Sequence, residues 1–111
     1  MKYTNTIKKI KEALEDKKGM DIQVLDVRTL VSYADFLVLC TGNSSAHINA
    51  LVSNVREVFP SHERPTYVNP SKDDSWWIVD FVDVVVHVFK EETRHYYDLD
   101  QLWGDAPRVN P

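Results

Sequence analysis

Tyr3, Ile7, Ile10 and Leu14 recur at helical spacing, with Lys and Glu between them, so residues 3–17 read as an amphipathic helix with one apolar stripe. Gly19 is placed to end it. Over residues 21–27 the pattern changes to alternation, Ile22 and Val24 pointing one way and Gln23, Leu25 and Val27 the other, which is the period of a strand. Residues 28–34 read as a connector. Residues 35–40 are almost continuously apolar and fit a central strand covered on both faces. Thr41-Gly42-Asn43 breaks that run, and Ser44 or Ser45 is placed to cap a helix whose inner face is Ile48, Leu51, Val52, Val55 and Phe59. Pro60 stops it. Residues 60–75, with Pro60, Pro65 and Pro70 among polar residues, read as a loop holding one short strand near 66–68.

Residues 76–89 (WWIVDFVDVVVHVF) carry the strongest β signal of the chain. The stretch is too long for a typical strand of about five or six residues, which predicts a hairpin near Phe81 and Val82 with strands at 76–80 and 83–89. Carried along the second strand, alternation puts Val82, Val84, Val86 and Val88 on a core face and Phe81, Asp83, Val85, His87 and Phe89 on the other. Residues 91–103 read as short helical turns, and the chain after Trp103 as loose. The order α, β, β, α, β, β, β, α predicts an α/β fold, a mixed β-sheet of about five strands with helices packed on it. A chain of 111 residues suits one domain, here residues 1–107 with 108–111 as a flexible tail.

Composition, 43% hydrophobic and 27% charged, is that of a globular protein and not of a disordered one. No apolar run is long enough to span a bilayer, and the first residues lack the apolar stretch of a secretory signal. The single cysteine, Cys40, has no internal partner for a disulfide, which agrees with a reducing compartment; the expectation is a cytoplasmic protein without membrane association. The net charge of −4 argues against binding DNA or RNA mainly through phosphates. The charge is uneven. Lysines crowd residues 1–18, whereas 73–103 is strongly acidic and suits a basic partner.

Several motifs invite chemistry. Thr41-Gly42-Asn43-Ser44-Ser45 sits at a strand-to-helix turn, where free N–H groups hold anions, yet no acid follows until Glu57 to bind the divalent metal that nucleotidyl transfer needs. A structural turn and cap is the plainer reading. Asp83 and His87 lie four residues apart, about 13 Å along a strand, too far to share one metal ion. They are either a polar pair satisfied within the domain or part of a binding surface. Cys40, inside an apolar strand, is read as a small core residue. No catalytic residue, metal ligand or cofactor site is expected. The aromatics of 76–103 are the most telling group. Trp76 and Trp77 point to opposite faces of their strand, so one faces the core and the other a partner or a covering helix. Aromatic residues ringed by charge suit an interface hot spot, although Tyr97, Leu99 and Trp103 serve equally to pack the end of the chain over the sheet.

Four blocks in order, KKGMDIQVLDV (17–27), ADFLVLCTGNSSAHI (34–48), WWIVDFVDVVVHVF (76–89) and EETRHYYDLDQLWGDAP (91–107), make the chain resemble the ribosomal silencing factor, or Iojap-like, family. The resemblance implies a nucleotidyltransferase-like α/β scaffold without catalysis and a homodimer when free. It further implies binding to the basic ribosomal protein L-fourteen on the joining face of the large ribosomal subunit, which keeps the small subunit away and represses translation. The blocks that carry it nominate Trp77, Asp80, Asp83, His87, Glu91, Arg94, Tyr97, Asp98, Leu99 and Trp103 as partner-binding residues. Two other functions stay open: a nucleotide-processing enzyme on the same scaffold, and an adaptor in large-subunit assembly. Val82 stands where the family carries glycine, which implies a wider hairpin turn or one of another type.

Overall fold

The computed structural model describes residues 4–32, 34–60, 67–70, 76–81, 83–97, 104 and 106–109. The elements run α1 (Thr4–Asp16), β1 (Met20–Asp26), β2 (Phe36–Gly42), α2 (Ser45–Glu57), β3 (Tyr67–Pro70), β4 (Trp76–Asp80), β5 (Val84–Lys90) and α3 (Glu91–Tyr97). This is the mixed α/β architecture that the alternating and helical periods predict. β1, β2, β5 and β4, in that spatial order, form the body of a mixed sheet, and the short β3 continues it beyond β4. β2 and β5 are parallel; the other neighbours are antiparallel.

The sheet divides the core into two layers. On one face α1 and α2 bring Ile7, Ile10, Leu14, Ile48, Leu51 and Val55 against Val24, Phe36, Val38, Cys40, Val84, Val86 and Val88. The other face gathers Leu25, Leu37, Leu39, Val85 and Phe89, covered in part by Val27, Val31 and Ala34 of the connector and by Ala106. β2 is buried at every position because both layers meet on it.

Local chemistry explains the element ends. α1 closes with the Gly19 N–H donating to the Leu14 carbonyl at 2.8 Å and the Lys18 N–H to that of Glu15 at 2.9 Å. The left-handed residue of this cap is Lys18 (φ 62°), not Gly19. Gly19 is required for another reason: a β-carbon there would lie 2.5 Å from the Cys40 Sγ and 3.0 Å from the Leu14 carbonyl oxygen. Ser44 caps α2, its Oγ accepting from the His47 N–H. The β4–β5 hairpin falls where the length of the β run predicts: the Phe81 N–H donates to the Val84 carbonyl at 2.9 Å and the Asp83 N–H to the Phe81 carbonyl at 3.1 Å. Asp83 thus belongs to the turn and not to the strand, and its carbonyl accepts from the Asp35 and Phe36 N–H groups at the start of β2.

Two placements differ from expectation. Phe81 does not share a face with His87; it packs with the α2 layer, its ring 5.0 Å from that of Phe59. Alternation cannot be carried through a turn, because the turn residues leave the pleat. The chain after Trp103 is expected to be loose and 108–111 to be a flexible tail. Instead residues 106–109 run antiparallel along the outer edge of β1: the Asp26 N–H donates to the Pro107 carbonyl at 2.9 Å, the Val109 N–H donates to the Val24 carbonyl at 2.8 Å, and Leu25 faces Arg108.

Candidate docking surface

β4 and β5 set the faces on which the nominated residues fall. Pairing of Trp76 with Phe89, Ile78 with His87 and Asp80 with Val85 places these six on the face away from α1 and α2, while Trp77 and Val79 point toward the helices with Val88 and Val86. The two tryptophans therefore do point apart. Trp77 is half-buried against the helix-side layer, and its indole N–H is buried with no hydrogen-bond partner among the described residues. Trp77 and Asp80 accordingly do not contribute to one sheet face, as the nominated surface requires, because an odd spacing on a strand inverts the side.

Trp76 holds the place on the other face. Its Nε1–H donates to His87 Nδ1 at 3.0 Å, and its ring lies 5.8 Å from the imidazole and 6.1 Å from the Phe89 ring. His87 is buried. Burial holds its pKa down to about 4, so the ring is neutral, and accepting at Nδ1 puts its proton on Nε2. Of the two readings of Asp83 and His87, these placements take His87 into a satisfied contact inside the domain and separate it from Asp83, which is half-buried in the turn. Among the described residues no group of three or more His, Cys, Asp or Glu is arranged to hold a metal ion.

α3 carries the exposed part of the surface. Glu91, Glu92, His95 and Tyr96 face solvent, Tyr96 with 82% of its surface open. Arg94 points inward. Its Nη1–H donors reach the Asp21 carbonyl at 3.0 Å and the Thr41 Oγ1 at 2.9 Å, and its guanidinium lies 5.3 Å from the centre of the Phe89 ring. Arg94 thus fastens α3 to the ends of β1 and β2. The side chain of Tyr97, and Asp98, Leu99 and Trp103, lie outside the described residues. The nominated set left out Trp76 and Tyr96. The first was recoverable by setting strand parity from His87 once the hairpin was placed; the second has no signal beyond its place beside Tyr97.

A cleft of about 800 Å³ opens at the carboxyl ends of the parallel pair β2 and β5, between Asp21 and Gln23, the Thr41-Gly42-Asn43 turn, and Lys90, Glu91 and Arg94. Such positions often bind ligands in α/β sheets. Here three of the N–H groups around the turn are already used. The Asn43 N–H donates to His47 Nδ1 at 2.9 Å, the His47 N–H to Ser44 Oγ at 3.1 Å, and the Ile48 N–H to the Ser44 carbonyl at 2.9 Å. His47 Nε2 then donates to the Lys17 carbonyl at 2.7 Å, clipping this turn to the end of α1. The turn acts as a structural cap. Cys40, buried and with its pKa pushed up to about 12 by that burial, is a core residue and no nucleophile. Among the described residues no helix is long and apolar enough to cross a membrane.

All of residues 1–111 match the family described as ribosomal silencing factor during starvation. The ribosomal silencing factor of Bacillus subtilis is 34% identical over 108 residues, spanning 96% of this chain and 92% of its own length. A mouse protein named for mitochondrial assembly of the ribosomal large subunit is 32% identical over 94 residues, 81% of this chain and 41% of its own. A crystal structure of a Chromobacterium violaceum protein superposes with a TM-score of 0.86 at 34% identity, covering 100% of this chain and 91% of that one. With its full length matched and its fold reproduced at that identity, the chain belongs to the ribosomal silencing factor family.

Proposed function

We propose that this protein represses translation by binding the large ribosomal subunit through the basic ribosomal protein L-fourteen and blocking joining of the small subunit. The carrying observation is the family match over every residue of the chain. The protein works in the cytoplasm by occupancy, with no catalysis or cofactor, on a nucleotidyltransferase-like scaffold, and is a homodimer when free. Its contact surface is the α3 end of the sheet, where Glu91, Glu92 and Tyr96 are exposed, together with the nominated Tyr97, Asp98, Leu99 and Trp103, which follow in sequence. Acids there would steer Lys and Arg of the partner, and aromatic area would supply affinity. His87 and Arg94 act from inside this surface; Asp80 and Asp83, at the hairpin end of the strands, and Trp77, on the helix side, stand apart from it. That the Asn43 and His47 N–H groups are spent on bonds within the turn favours occupancy over a nucleotide-processing enzyme.

Sedimentation with purified subunits tests the reading. The protein should pellet with large subunits and lower the yield of joined ribosomes in proportion to occupancy. Failure to pellet with large subunits at low salt would remove it. The name of the mouse relative favours a second reading, an adaptor in large-subunit assembly. Pelleting with large subunits while joining is unaffected would favour the adaptor.

A further inference from the structure

β1 is irregular where it borders the cleft. Met20 pairs with Thr41 and Gln23 with Leu39, so Asp21 and Ile22 of β1 stand opposite the single residue Cys40 of β2. This is a β-bulge, a device that re-aims a residue and is frequent beside functional sites. Asp21 takes a left-handed conformation there (φ 48°), and its carbonyl accepts from the Arg94 guanidinium at 3.0 Å. Gln23 shares the face of its cross-strand neighbour Leu39, the one turned away from α1 and α2. It is half-buried and lines the cleft of about 800 Å³. Its side-chain oxygen is buried and accepts no hydrogen bond among the described residues. Holding an acceptor in that state is costly, and a donor brought up to it would remove the cost.

An anion finds little here. Arg94 is turned into the floor, onto the Asp21 carbonyl and the Thr41 hydroxyl, and the Asn43 N–H is spent on His47. The floor already holds one guanidinium, that of Arg94, near the Phe89 ring. The lining adds the unpaired Gln23 oxygen and the carboxylates of Asp21, Glu91 and Glu92, against Lys90 and His95. A ligand that fits such a lining carries several N–H donors and positive charge, because hydrogen bonds from a cation to carboxylates are the strong ones. We propose that this cleft is a binding site for a small guanidine or primary amine. Its N–H groups take up the Gln23 oxygen, and its charge is met by Asp21 and Glu91. Binding needs no ribosome, since every group named belongs to this chain.

Agmatine, with a guanidinium at one end and an ammonium at the other, is the probe. Titrated into the full-length protein and followed by calorimetry, it should saturate with a Kd of about 1 mM or tighter. Amide chemical shifts of the parent should move at 20–23, 41–43 and 90–95, the residues around the cleft. Gln23→Leu should weaken binding at least tenfold while leaving the urea midpoint unchanged or raised, because the acceptor it removes was unpaired. Gln23→Glu sets a carboxylate in the same place and should tighten binding at least fivefold. Absence of saturable binding would overturn the proposal. So would shifts centred elsewhere, equal binding by the parent and Gln23→Leu, or tighter binding of inorganic phosphate than of agmatine. Tighter binding of a blocked Gly-Arg-Gly peptide than of agmatine would overturn the small-molecule assignment, since the cleft would then suit a protein side chain. The shifts are read on the parent, so a variant that fails to fold leaves the test intact. Failure here also leaves the pelleting of the parent with large subunits untouched.

Discussion

His87 takes part in stability through its neutral form. Its pKa in the fold is about 4, held down by burial, against an ordinary value of 6.5. Between these values the unfolded chain binds the proton and the folded chain does not, so the contribution is complete above pH 6.5 and is lost as pH falls toward 4. The gap corresponds to about 3 kcal/mol. Urea unfolding at pH 7 and pH 4.5 should show this loss in the parent, and His87→Gln should flatten the difference. Trp76→Phe keeps an aromatic ring, though a smaller one, and deletes the donor to Nδ1; at pH 7 it should cost about 1–2 kcal/mol by chemical denaturation. Gly19 is a second residue with a definite physical demand. Gly19→Ala should cost about 1–3 kcal/mol through overpacking, and adding Cys40→Ala should recover part of it, because the thiol is only one of three close neighbours, with the Leu14 carbonyl and the Leu51 side chain.

At the scale of elements, α3 is the one that stability does not explain locally. It has seven residues, too few to hold as an isolated helix. Arg94 supplies the missing anchor through Asp21 and Thr41. Arg94→Met should loosen α3 at a cost of about 1–3 kcal/mol, since it strands the buried Thr41 hydroxyl and removes the part-buried bond to the Asp21 carbonyl, and hydrogen exchange of the 91–97 amides should rise more than that of β2. The same contrast marks what was legible in the sequence. α1, β2 and α2 announce themselves because a periodic stripe or an unbroken apolar run is a local signal. Arg94 reads locally as a solvated charge in the last turn of a helix; its partners lie 53 and 73 positions away. Segment 106–109 was invisible because it is held by main-chain groups, which carry no residue identity. Phe81 was put on the wrong face, and Trp77 grouped with Asp80, because strand parity was carried across a turn or not followed. Of the docking set, the exposed character of Glu91 was legible, but the inward positions of His87 and Arg94 depend on long-range packing.

The whole molecule is asymmetric through its thickness. α1 and α2 blanket one face of the sheet, while the other is covered by short pieces: the connector, Ala106 and the Trp76–His87–Phe89 group. The molecule measures 33 × 33 × 22 Å, large enough for a bound copy to occlude a subunit-joining face. If the proposed acidic surface meets a basic protein, large-subunit binding should be moderately salt-dependent, with a shallower slope than a phosphate binder shows. Pelleting between about 50 and 200 mM salt measures this; a loss of about a thousandfold or more over that range would point to contact with RNA instead.

The thiol wedged against Gly19 in the central strand also makes the protein its own stopwatch. A sulfhydryl reagent can reach Cys40 only when β2 parts from its neighbours and the helices lift away, since both layers close over it and its proton is held tightly. The rate of labelling should therefore track global opening and not local fraying. With one cysteine in the chain, a single colour change would time the life of the native state, and binding to the ribosome should lengthen it.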